Sequence, residues 1–400
     1  MDDGWGSRIP MGSKVYDERF SDIVDIFRTN LDSHLETAGA AFSVFWRGSP
    51  MVHVWGGWKD VERREEWTEE TMTVLFSTTK CLSALVLAFV LQDSKRDYSD
   101  LVTAVWPEYG RNGKENTTIG DIALHRAGLP YGYRPITRNE ILQPDKVSKW
   151  FEDSPPVWKP GNSSGYHALT IGLLIDQVVR RIDGRRRGVW EILDQEMLLP
   201  YGIKDLSIGL RKADDNANVA TLRGVSDCDL QIESERNPES LRRYNLGGNA
   251  YNDRLNEIFS WIQPTCDDYN KLDNRVLHMP SNMGIGNAHS FARLLSLVAN
   301  GRILNHATLR KISSPVLVEA MDIINGYEES KGYGFQYTRS PRGNWVFGHS
   351  GLGGQNVRID VSNQLSIAYV CNGMKVADAD LVIPWRRLVE AVYRKIDKIG

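Results

Sequence analysis

The fold is decided by the stretch Phe76-Ser77-Thr78-Thr79-Lys80, which continues directly into the apolar run of residues 81–91. Apolar residues cover every side of that run on a helical wheel, a pattern typical of a helix that is buried all round. The run is too short to cross a bilayer, so we expect the central helix of a soluble domain. If the helix begins at Ser77, Lys80 lies one turn further on the same face, where the hydroxyl and the amine can meet.

A Ser-x-x-Lys pair at a helix start has two interpretations. The helix N-terminus favours negative charge that develops at Ser77, which suits a nucleophilic hydroxyl with an amine beside it. The alternative is a capping serine followed by a lysine that extends out of a core helix. The four residues alone do not decide, so the chemical interpretation requires partners elsewhere in the chain.

Bulk composition limits the classes of protein that the chain can form. Its 400 residues could make two ordinary domains or one large domain with an inserted lobe. A formal net charge of -3 argues against a nucleic-acid or anionic-membrane surface. The four cysteines are far apart, so neither a zinc site nor a disulfide framework is indicated. No signal peptide is visible at the N-terminus, and a cytoplasmic location is expected.

The first part of the chain predicts a helix followed by a hairpin. Residues 16–35 carry apolar side chains at helical spacing and predict an amphipathic helix. Two β-rich runs follow, 40–46 and 51–55, and the turn 47–50 between them is a hairpin signal. We expect Gly56-Gly57 to end the second strand.

The middle of the chain, about residues 107–280, is predicted to be helical and rich in loops. Residues 118–125 indicate a short helix, and residues 166–182 indicate a strongly amphipathic one. Residues 214–273 are polar and weakly periodic, which favours long surface loops with some helix.

The last part returns to strands after an apolar helix. That helix is predicted at 290–300, the strands at 333–337, 345–348, 357–361 and 365–372, and a closing helix at 380–395. Strands at both chain ends around a helical middle predict an α+β fold with one antiparallel sheet built from both termini.

We therefore expect a single domain, residues 1–400, in two lobes. An α/β lobe would comprise about residues 15–106 and 281–400, and an all-helical lobe about residues 107–280. A functional site is expected in the cleft between them.

Tyr166 is the first candidate partner for Ser77. It stands where the Gly-rich loop 160–165 enters a predicted helix, so its hydroxyl can point into a cleft from a rigid base. A phenol titrates near pH 10, but a cationic Lys80 beside it would favour the charged form, which could accept a proton from Ser77. The alternative is that Tyr166 only packs the loop. His167 either lines the cleft or packs at the helix start.

The second candidate partner is the stretch Gly348-His349-Ser350-Gly351-Leu352-Gly353-Gly354. A strand that ends in a polar pair followed by glycines lets backbone N–H groups approach a substrate closely, as an oxyanion hole requires. The stretch also begins like a Gly-x-Ser-x-Gly nucleophile elbow. Leu352 stands where the second glycine of that motif should be, and no strand–helix alternation surrounds it, so we reject an α/β-hydrolase.

In their order and spacing, Ser77-Thr78-Thr79-Lys80, Tyr166 and His349-Ser350-Gly351 resemble the serine β-lactamase and penicillin-binding superfamily. The closest resemblance is to class C β-lactamases and family VIII carboxylesterases. Residues 54–57, 125–130 and 280–286 also resemble that group, and the likeness covers most of residues 20–390. It implies a β-lactamase/transpeptidase-like fold, in which helices flank the antiparallel sheet and an all-helical lobe lies beside it.

The resemblance also implies roles for these residues. Ser77 would be the acylated nucleophile, Lys80 its activating partner, and Tyr166 the base; whether Lys80 or Tyr166 accepts the first proton is left open. The oxyanion hole would be the backbone N–H groups of Ser77 and Leu352. Substrate contacts would come from His349, Ser350, Gly351 and His167. No metal or organic cofactor is needed for this chemistry.

Two departures from the family pattern concern the substrate. β-Lactamases have Tyr-x-Asn, whose Asn reads an amide, but Ala168 occupies the third position here. The third motif usually begins with a Lys that helps to hold a carboxylate, but His349 stands there and is largely neutral near pH 7. Both changes remove groups suited to β-lactams, so we expect hydrolysis of small carboxylic esters.

Three alternatives remain open at the level of sequence. The same site could act as a β-lactamase, or as a D-alanyl or other peptidase on an amide substrate. The chain could also be a non-catalytic scaffold or assembly protein that has kept the fold. Small-molecule esters or amides are the expected partners, neither a nucleic acid nor a membrane span is expected, and nothing specifically indicates oligomerisation.

Overall fold

A computed structural model describes residues 9–399, and its largest unit is an antiparallel sheet made from both ends of the chain. The strands are β1 Met11–Val15, β2 Gly39–Trp46, β3 Ser49–Asp60, β4 Glu65–Glu66, β5 Thr73–Val74, β6 Leu206–Ile208, β7 Gly284–Gly286, β8 Leu317–Met321, β9 Glu328–Gly332, β10 Phe335–Arg339, β11 Trp345–Gly351, β12 Gln355–Asp360 and β13 Leu365–Cys371. The helices are α1 Asp22–Asp32, α2 Thr79–Ser94, α3 Ile119–Ala123, α4 Arg138–Ile141, α5 Pro144–Asp153, α6 Thr170–Ile182, α7 Val189–Ile192, α8 Asp227–Arg236, α9 Pro238–Leu246, α10 Ala250–Ile258, α11 Cys266–Asn270, α12 Leu272–Arg275, α13 Ala288–Ala299, α14 His306–Ile312 and α15 Ile383–Ile399.

The main sheet joins the two chain ends through the β2–β13 pair. Among residues 9–399 its strand order is β1-β3-β2-β13-β12-β11-β10-β9-β8, with β4 beside β3. Ala41 lies opposite Val370 and Val44 opposite Ile367, in antiparallel register. The prediction of an α+β fold with a sheet from both termini is confirmed. A smaller sheet, β5-β7-β6, leads into the turn before α2.

Helices cover both faces of the main sheet. On one face α1 and α15 bury an apolar layer against β2, β3 and β13. In this layer Phe27 and Trp385 are at most 1% exposed. On the other face α13 packs against β2, β12 and β13. Because both sides of β2 are covered, all eight of its residues are buried, and its sequence is a nearly continuous apolar run.

Helix α2 is the central element, as the apolar run predicts. It packs against α6 and α7 on one side and β10 and β11 on the other, so nearly all of its side chains are buried. Truncating one of them, such as Leu85→Ala, should cost about 2–5 kcal/mol of stability. The helix begins at Thr79 and not at Ser77, which lies in the preceding turn.

Three details of the sequence prediction were wrong. Strand β3 does not end at Gly56-Gly57 as expected but continues to Asp60. Gly57 has a φ of +84°, and a Cβ there would lie 2.1 Å from the Ala38 carbonyl oxygen, so only glycine fits. Strands β1 and β4 to β9 were not foreseen. The helix expected from residue 16 begins at Asp22.

The polar region 214–273 contains α8 to α12 and is therefore more helical than expected. The division into lobes near residues 107 and 280 stays a prediction. Within residues 9–399 every helix falls short of the length or the apolarity that a bilayer crossing requires.

Candidate active site

Ser77 is presented by a strained turn between β5 and α2. Phe76, directly before it, has a left-handed φ of +45°, a conformation that costs a non-glycine residue about 1–3 kcal/mol. Two contacts hold it there: its ring packs on Tyr269 with centroids 4.7 Å apart, and its carbonyl accepts a hydrogen bond from Thr79 Oγ1. Thr79 Oγ1 in turn accepts from the Gly284 N–H at 2.8 Å, so β7 fixes the turn. Ser77 lies at the tip of this turn and is half-buried.

Lys80 lies behind Ser77 and is 1% exposed. Its Nζ is 3.0 Å from Ser77 Oγ, 2.8 Å from the Ala168 carbonyl oxygen and 3.0 Å from the Ser281 carbonyl oxygen. Burial holds the pKa of this amine well below its ordinary value of 10.5. Nζ donates to Ser77 Oγ and to the two carbonyl oxygens, so a desolvated amine lies directly against the Ser77 hydroxyl.

Tyr166 completes the group from the loop before α6. Its ring lies with its centroid 4.8 Å from Lys80 Nζ, and its hydroxyl is hydrogen-bonded to the Ser77 side chain. Burial raises the pKa of the phenol above its ordinary value of 10, and this outweighs the lowering by the bond to Ser77. This direction runs against the expectation that Lys80 lowers the pKa of the phenol and favours the phenolate.

His125 and His167 hold the loop that carries Tyr166. The His167 N–H donates to His125 Nδ1 at 2.8 Å, and the Gly165 N–H donates to the His125 carbonyl at 3.0 Å. His125 adopts a left-handed φ of +58° to make both contacts. His167 Nδ1–H donates to the Gly165 carbonyl at 2.6 Å, and its Nε2 accepts from the Leu129 N–H at 2.9 Å.

Both ring nitrogens of His167 are thus engaged with backbone, and its side chain is fully buried. Burial lowers the pKa of its imidazole to about 4, so it is neutral at physiological pH. This position does not support the expected contact between His167 and substrate. The ring stabilises the loop instead, which was the alternative interpretation, and His125 is a structural partner that sequence reasoning placed only near a helix end.

His349 lies at the end of β11, and its ring centroid is 6.2 Å from that of Tyr166. Its Nδ1–H donates to the Ser350 carbonyl at 2.6 Å. The side chain is 1% exposed, and burial, followed by proximity to Lys80, keeps the pKa of the imidazole well below its ordinary value of 6.5. His349 is therefore a neutral ring where the family pattern has a cation.

Gln336 was missed by sequence reasoning. It lies on β10 opposite Gly348, and its Oε1 accepts from both the N–H of Ser350, at 2.8 Å, and the hydroxyl of Ser350, at 2.9 Å. Ser350 is 3% exposed, so this amide satisfies both of its donors away from water. The available signal was a polar residue between the aromatic Phe335 and Tyr337 in a predicted strand.

The segment after β11 is packed tightly against its surroundings. A Cβ on Gly351 would lie 2.7 Å from the Leu75 carbonyl, so the end of β11 runs directly beside the Ser77 turn. Gly353 has a φ of +81°, and a Cβ there would lie 2.3 Å from Met374 Sδ. Leu352 between them is 45% exposed and faces outward. This packing leaves little freedom for the Leu352 backbone N–H.

Three sequence segments that are far apart along the chain thus meet at one place: the Ser77 turn, the Tyr166 loop and the end of β11. Within the part of the chain that the structure describes, residues 9–399, there is no cluster of three or more His, Cys, Asp or Glu side chains suited to a metal ion.

Comparison with known proteins places the chain in one family. Residues 27–391 match the sequence model of the family described as Beta-lactamase. The chain is 26% identical to "Esterase/beta-lactamase LipL" of Mycobacterium tuberculosis over 378 residues, which cover 90% of this chain and 83% of LipL.

Two solved structures share the whole architecture. A family VIII carboxylesterase superposes with a TM-score of 0.83 at 25% identity, covering 97% of this chain and 100% of that one. A penicillin-binding protein homologue from Caulobacter crescentus superposes with a TM-score of 0.80 at 27% identity, covering 96% and 100%. The chain therefore belongs to the Beta-lactamase family and is a serine hydrolase of that family.

Proposed function

We propose that this chain hydrolyses small carboxylic esters through an acyl-enzyme formed on Ser77. The observation that carries the proposal is the set of contacts around Lys80. Two backbone carbonyls and one hydroxyl surround a buried amine that has no carboxylate among its three hydrogen-bond partners. Burial disfavours the cationic form of this amine, which suits it to act as a base, and it lies at hydrogen-bonding distance from the hydroxyl that must lose its proton.

In acylation, Lys80 Nζ takes the hydroxyl proton as Ser77 Oγ attacks the carbonyl carbon of the ester. The negative charge that develops on the carbonyl oxygen is stabilised by the backbone N–H groups of Ser77 and Leu352. The protonated phenol of Tyr166 donates to the departing alkoxide, the C–O bond breaks, and an alcohol leaves. The proton held on Lys80 then restores the phenol.

Deacylation uses the same groups with water in place of Ser77. Water gives a proton to the base as its oxygen attacks the acyl carbonyl, and Ser77 leaves with a proton returned from the same pair. We assign Lys80 as first acceptor because burial lowers the pKa of the amine and raises that of the phenol, which disfavours the charged form of each.

Two features favour esters over lactams. Neutral His349 provides no permanent charge for a substrate carboxylate, and the methyl side chain of Ala168 cannot hydrogen-bond an amide. The names of two relatives, an esterase/β-lactamase and a family VIII carboxylesterase, support an ester substrate. The first of these names also supports lactam hydrolysis as a second candidate activity of the same site.

The test is turnover of short-chain nitrophenyl esters by wild type, Ser77→Ala and the matched control Ser94→Ala, which makes the same change at the far end of α2. Ser77→Ala should lose about 10³-fold or more in kcat, because the covalent route is removed. Ser94→Ala should retain wild-type turnover. Equal turnover by wild type and Ser77→Ala would overturn the proposal.

A fluorophosphonate probe separates the enzyme from the scaffold alternative. The probe should label wild type at Ser77, located by mass spectrometry of the labelled peptide, and should not label Ser77→Ala. A wild-type protein that resists labelling at Ser77 would favour the non-catalytic alternative. Nitrocefin turnover, measured in parallel, compares the rate of lactam hydrolysis with the rate of ester hydrolysis.

A further inference from the structure

Asp322 connects the turn between β8 and β9 to the loop that carries Tyr166. Its side chain is fully buried. Oδ1 accepts three backbone N–H groups: that of Tyr166 at 3.1 Å, that of Ile324 at 2.9 Å and that of Asn325 at 2.8 Å. The first of these bonds crosses from one chain segment to another 156 residues away, whereas the other two shape the turn around Asp322 itself.

A buried cation balances this carboxylate. Lys331 on β9 is 3% exposed and forms an ion pair with Asp322 Oδ2, and a second one with Glu329 Oε2 at 2.9 Å. A buried carboxylate persists as an anion only when it is paired and hydrogen-bonded. Lys331 therefore balances the charge of this carboxylate, and a charged acceptor holds a backbone N–H more strongly than a neutral one does.

The two segments are also joined by backbone and by packing. The Ile323 N–H donates to the Ser164 carbonyl at 3.0 Å. A Cβ added to Gly165 would lie 2.9 Å from Ile323 Cγ1 and 2.7 Å from the ring of Trp158, so the loop is pressed against the turn immediately before Tyr166. The His125 contacts hold the loop from one side and Asp322 holds it from the other.

We propose that Asp322 is a positioning residue for Tyr166: its carboxylate, neutralised by Lys331, fixes the backbone of Tyr166 so that the phenol meets Ser77. The inference rests on the proposed function of Tyr166 as the proton donor to the leaving group. Misplacing such a group by about 1 Å can cost about 10²-fold in rate, because proton transfer depends on alignment. Substrate binding does not depend on it, so the effect belongs in kcat.

Two variants that remove the same charge separate positioning from electrostatics. Asp322→Asn keeps an oxygen that can accept from the Tyr166 N–H, whereas Asp322→Ala does not, and in both the Lys331–Glu329 pair remains. Asp322→Ala should lower kcat for a nitrophenyl ester by about 10- to 100-fold with KM within about twofold of wild type. Asp322→Asn should recover most of that loss. If Asp322→Asn is as slow as Asp322→Ala, or if Asp322→Ala equals wild type, the proposal is overturned.

A double-mutant cycle shows whether the effect passes through Tyr166. Asp322→Ala should slow Tyr166→Phe by less than about twofold, because the hydroxyl that Asp322 positions is already gone. An equal slowing in both backgrounds would mean that Asp322 acts elsewhere. If Asp322→Ala does not fold by circular dichroism, Asp322→Ser takes its place, since a serine hydroxyl is too short to reach the Tyr166 N–H.

A readout without catalysis distinguishes failure of this inference from failure of the proposed function. With ¹⁵N-tyrosine labelling, the amide resonance of Tyr166, assigned by its absence in Tyr166→Phe, should shift upfield in Asp322→Ala and much less in Asp322→Asn. If the shift occurs but fluorophosphonate does not label wild type, the positioning of Tyr166 by Asp322 is supported and the ester mechanism fails. If fluorophosphonate labels Ser77 but the Tyr166 resonance does not shift, only the positioning role of Asp322 is refuted.

Discussion

Lys80 Nζ lies 3.0 Å from Ser77 Oγ at the start of α2, and its two remaining contacts are backbone carbonyls, those of Ala168 and Ser281. No carboxylate is among these three partners, and burial lowers the pKa of the amine. The proposed mechanism uses Lys80 as the proton acceptor and Tyr166 as the proton donor.

The first prediction concerns Lys80→Met, which keeps the length of the side chain and removes the base. Turnover of a nitrophenyl ester should fall by about 10²–10⁴-fold, the usual contribution of a general base. The free energy of unfolding at pH 7 should stay within about 2 kcal/mol of wild type, because removal of a desolvated amine offsets the loss of the donor to the Ala168 and Ser281 carbonyls. A variant that retains activity, or one that loses more stability than this as well as activity, would contradict the assignment.

The same substitution should change the pH dependence of stability. Burial lowers the pKa of folded Lys80, so between that lowered pKa and 10.5 the unfolded chain binds more protons than the folded one. Wild-type free energy of unfolding should therefore gain about 1.4 kcal/mol per pH unit from this group as pH rises from the lowered folded pKa towards 10.5. The difference between wild type and Lys80→Met, measured by urea unfolding at several pH values, should show this slope.

The second prediction concerns the pH profile of kcat/KM. Protonated Lys80 has no lone pair, so activity should fall as pH drops through the pKa of the amine, which lies well below 10.5. Tyr166 must keep its proton, and its raised pKa places the alkaline decline above pH 10. An activity that continues to climb above pH 10 would instead indicate the phenolate as the base.

The third prediction concerns Ala168, whose half-buried side chain stands where β-lactamases have an amide-reading Asn. Ala168→Asn should raise the ratio of nitrocefin to nitrophenyl ester turnover by about fivefold to tenfold, the value of one added hydrogen bond. Ala168→Leu is the matched control, similar in size without an amide, and should leave the ratio unchanged or lower. A rise with Leu would mean that bulk, and not hydrogen bonding, controls the preference.

The fourth prediction concerns Gln336. Gln336→Ala leaves two buried donors of Ser350 without an acceptor, which should cost about 1–3 kcal/mol of stability. It should also lower kcat, because the end of β11 leads directly into the Leu352 segment. Gln336→Glu keeps an acceptor oxygen and should retain more activity than Gln336→Ala. The check is chemical unfolding with ester kinetics on the same preparations.

Much of the fold could be predicted because burial leaves a clear pattern in sequence. The run that forms α2 is apolar on every side, and β2 is apolar throughout, so both elements were found. Strand β8 was missed because it lies at the sheet edge, where Leu317–Met321 is largely exposed and mixes charged with apolar residues. Strand β9 lies beside it, and its sequence Glu328–Gly332 has no apolar run that would predict a strand. An edge strand has one neighbour and less need for a buried face.

The sequence could nominate Ser77, Lys80 and Tyr166, which the structure brings together, but it could not give the environment of their ionisable groups. Lys80 is buried against carbonyls 88 and 201 residues away, and residue types do not indicate such backbone contacts. The contact between Asp322 and Tyr166 could not be predicted for the same reason, because Asp322 accepts from the backbone N–H of Tyr166 and not from its side chain.

The carbonyls of Ala168 and Ser281 also make the reactive state conditional on a complete tertiary structure. If either segment opens locally, water reaches Nζ, and the burial that lowers the pKa of the amine is lost while α2 is still helical. Partly folded or proteolytically cleaved molecules would thus carry an unactivated Ser77. Hydrolysis would require the Ser77 turn and the segments of Ala168 and Ser281 to be packed together.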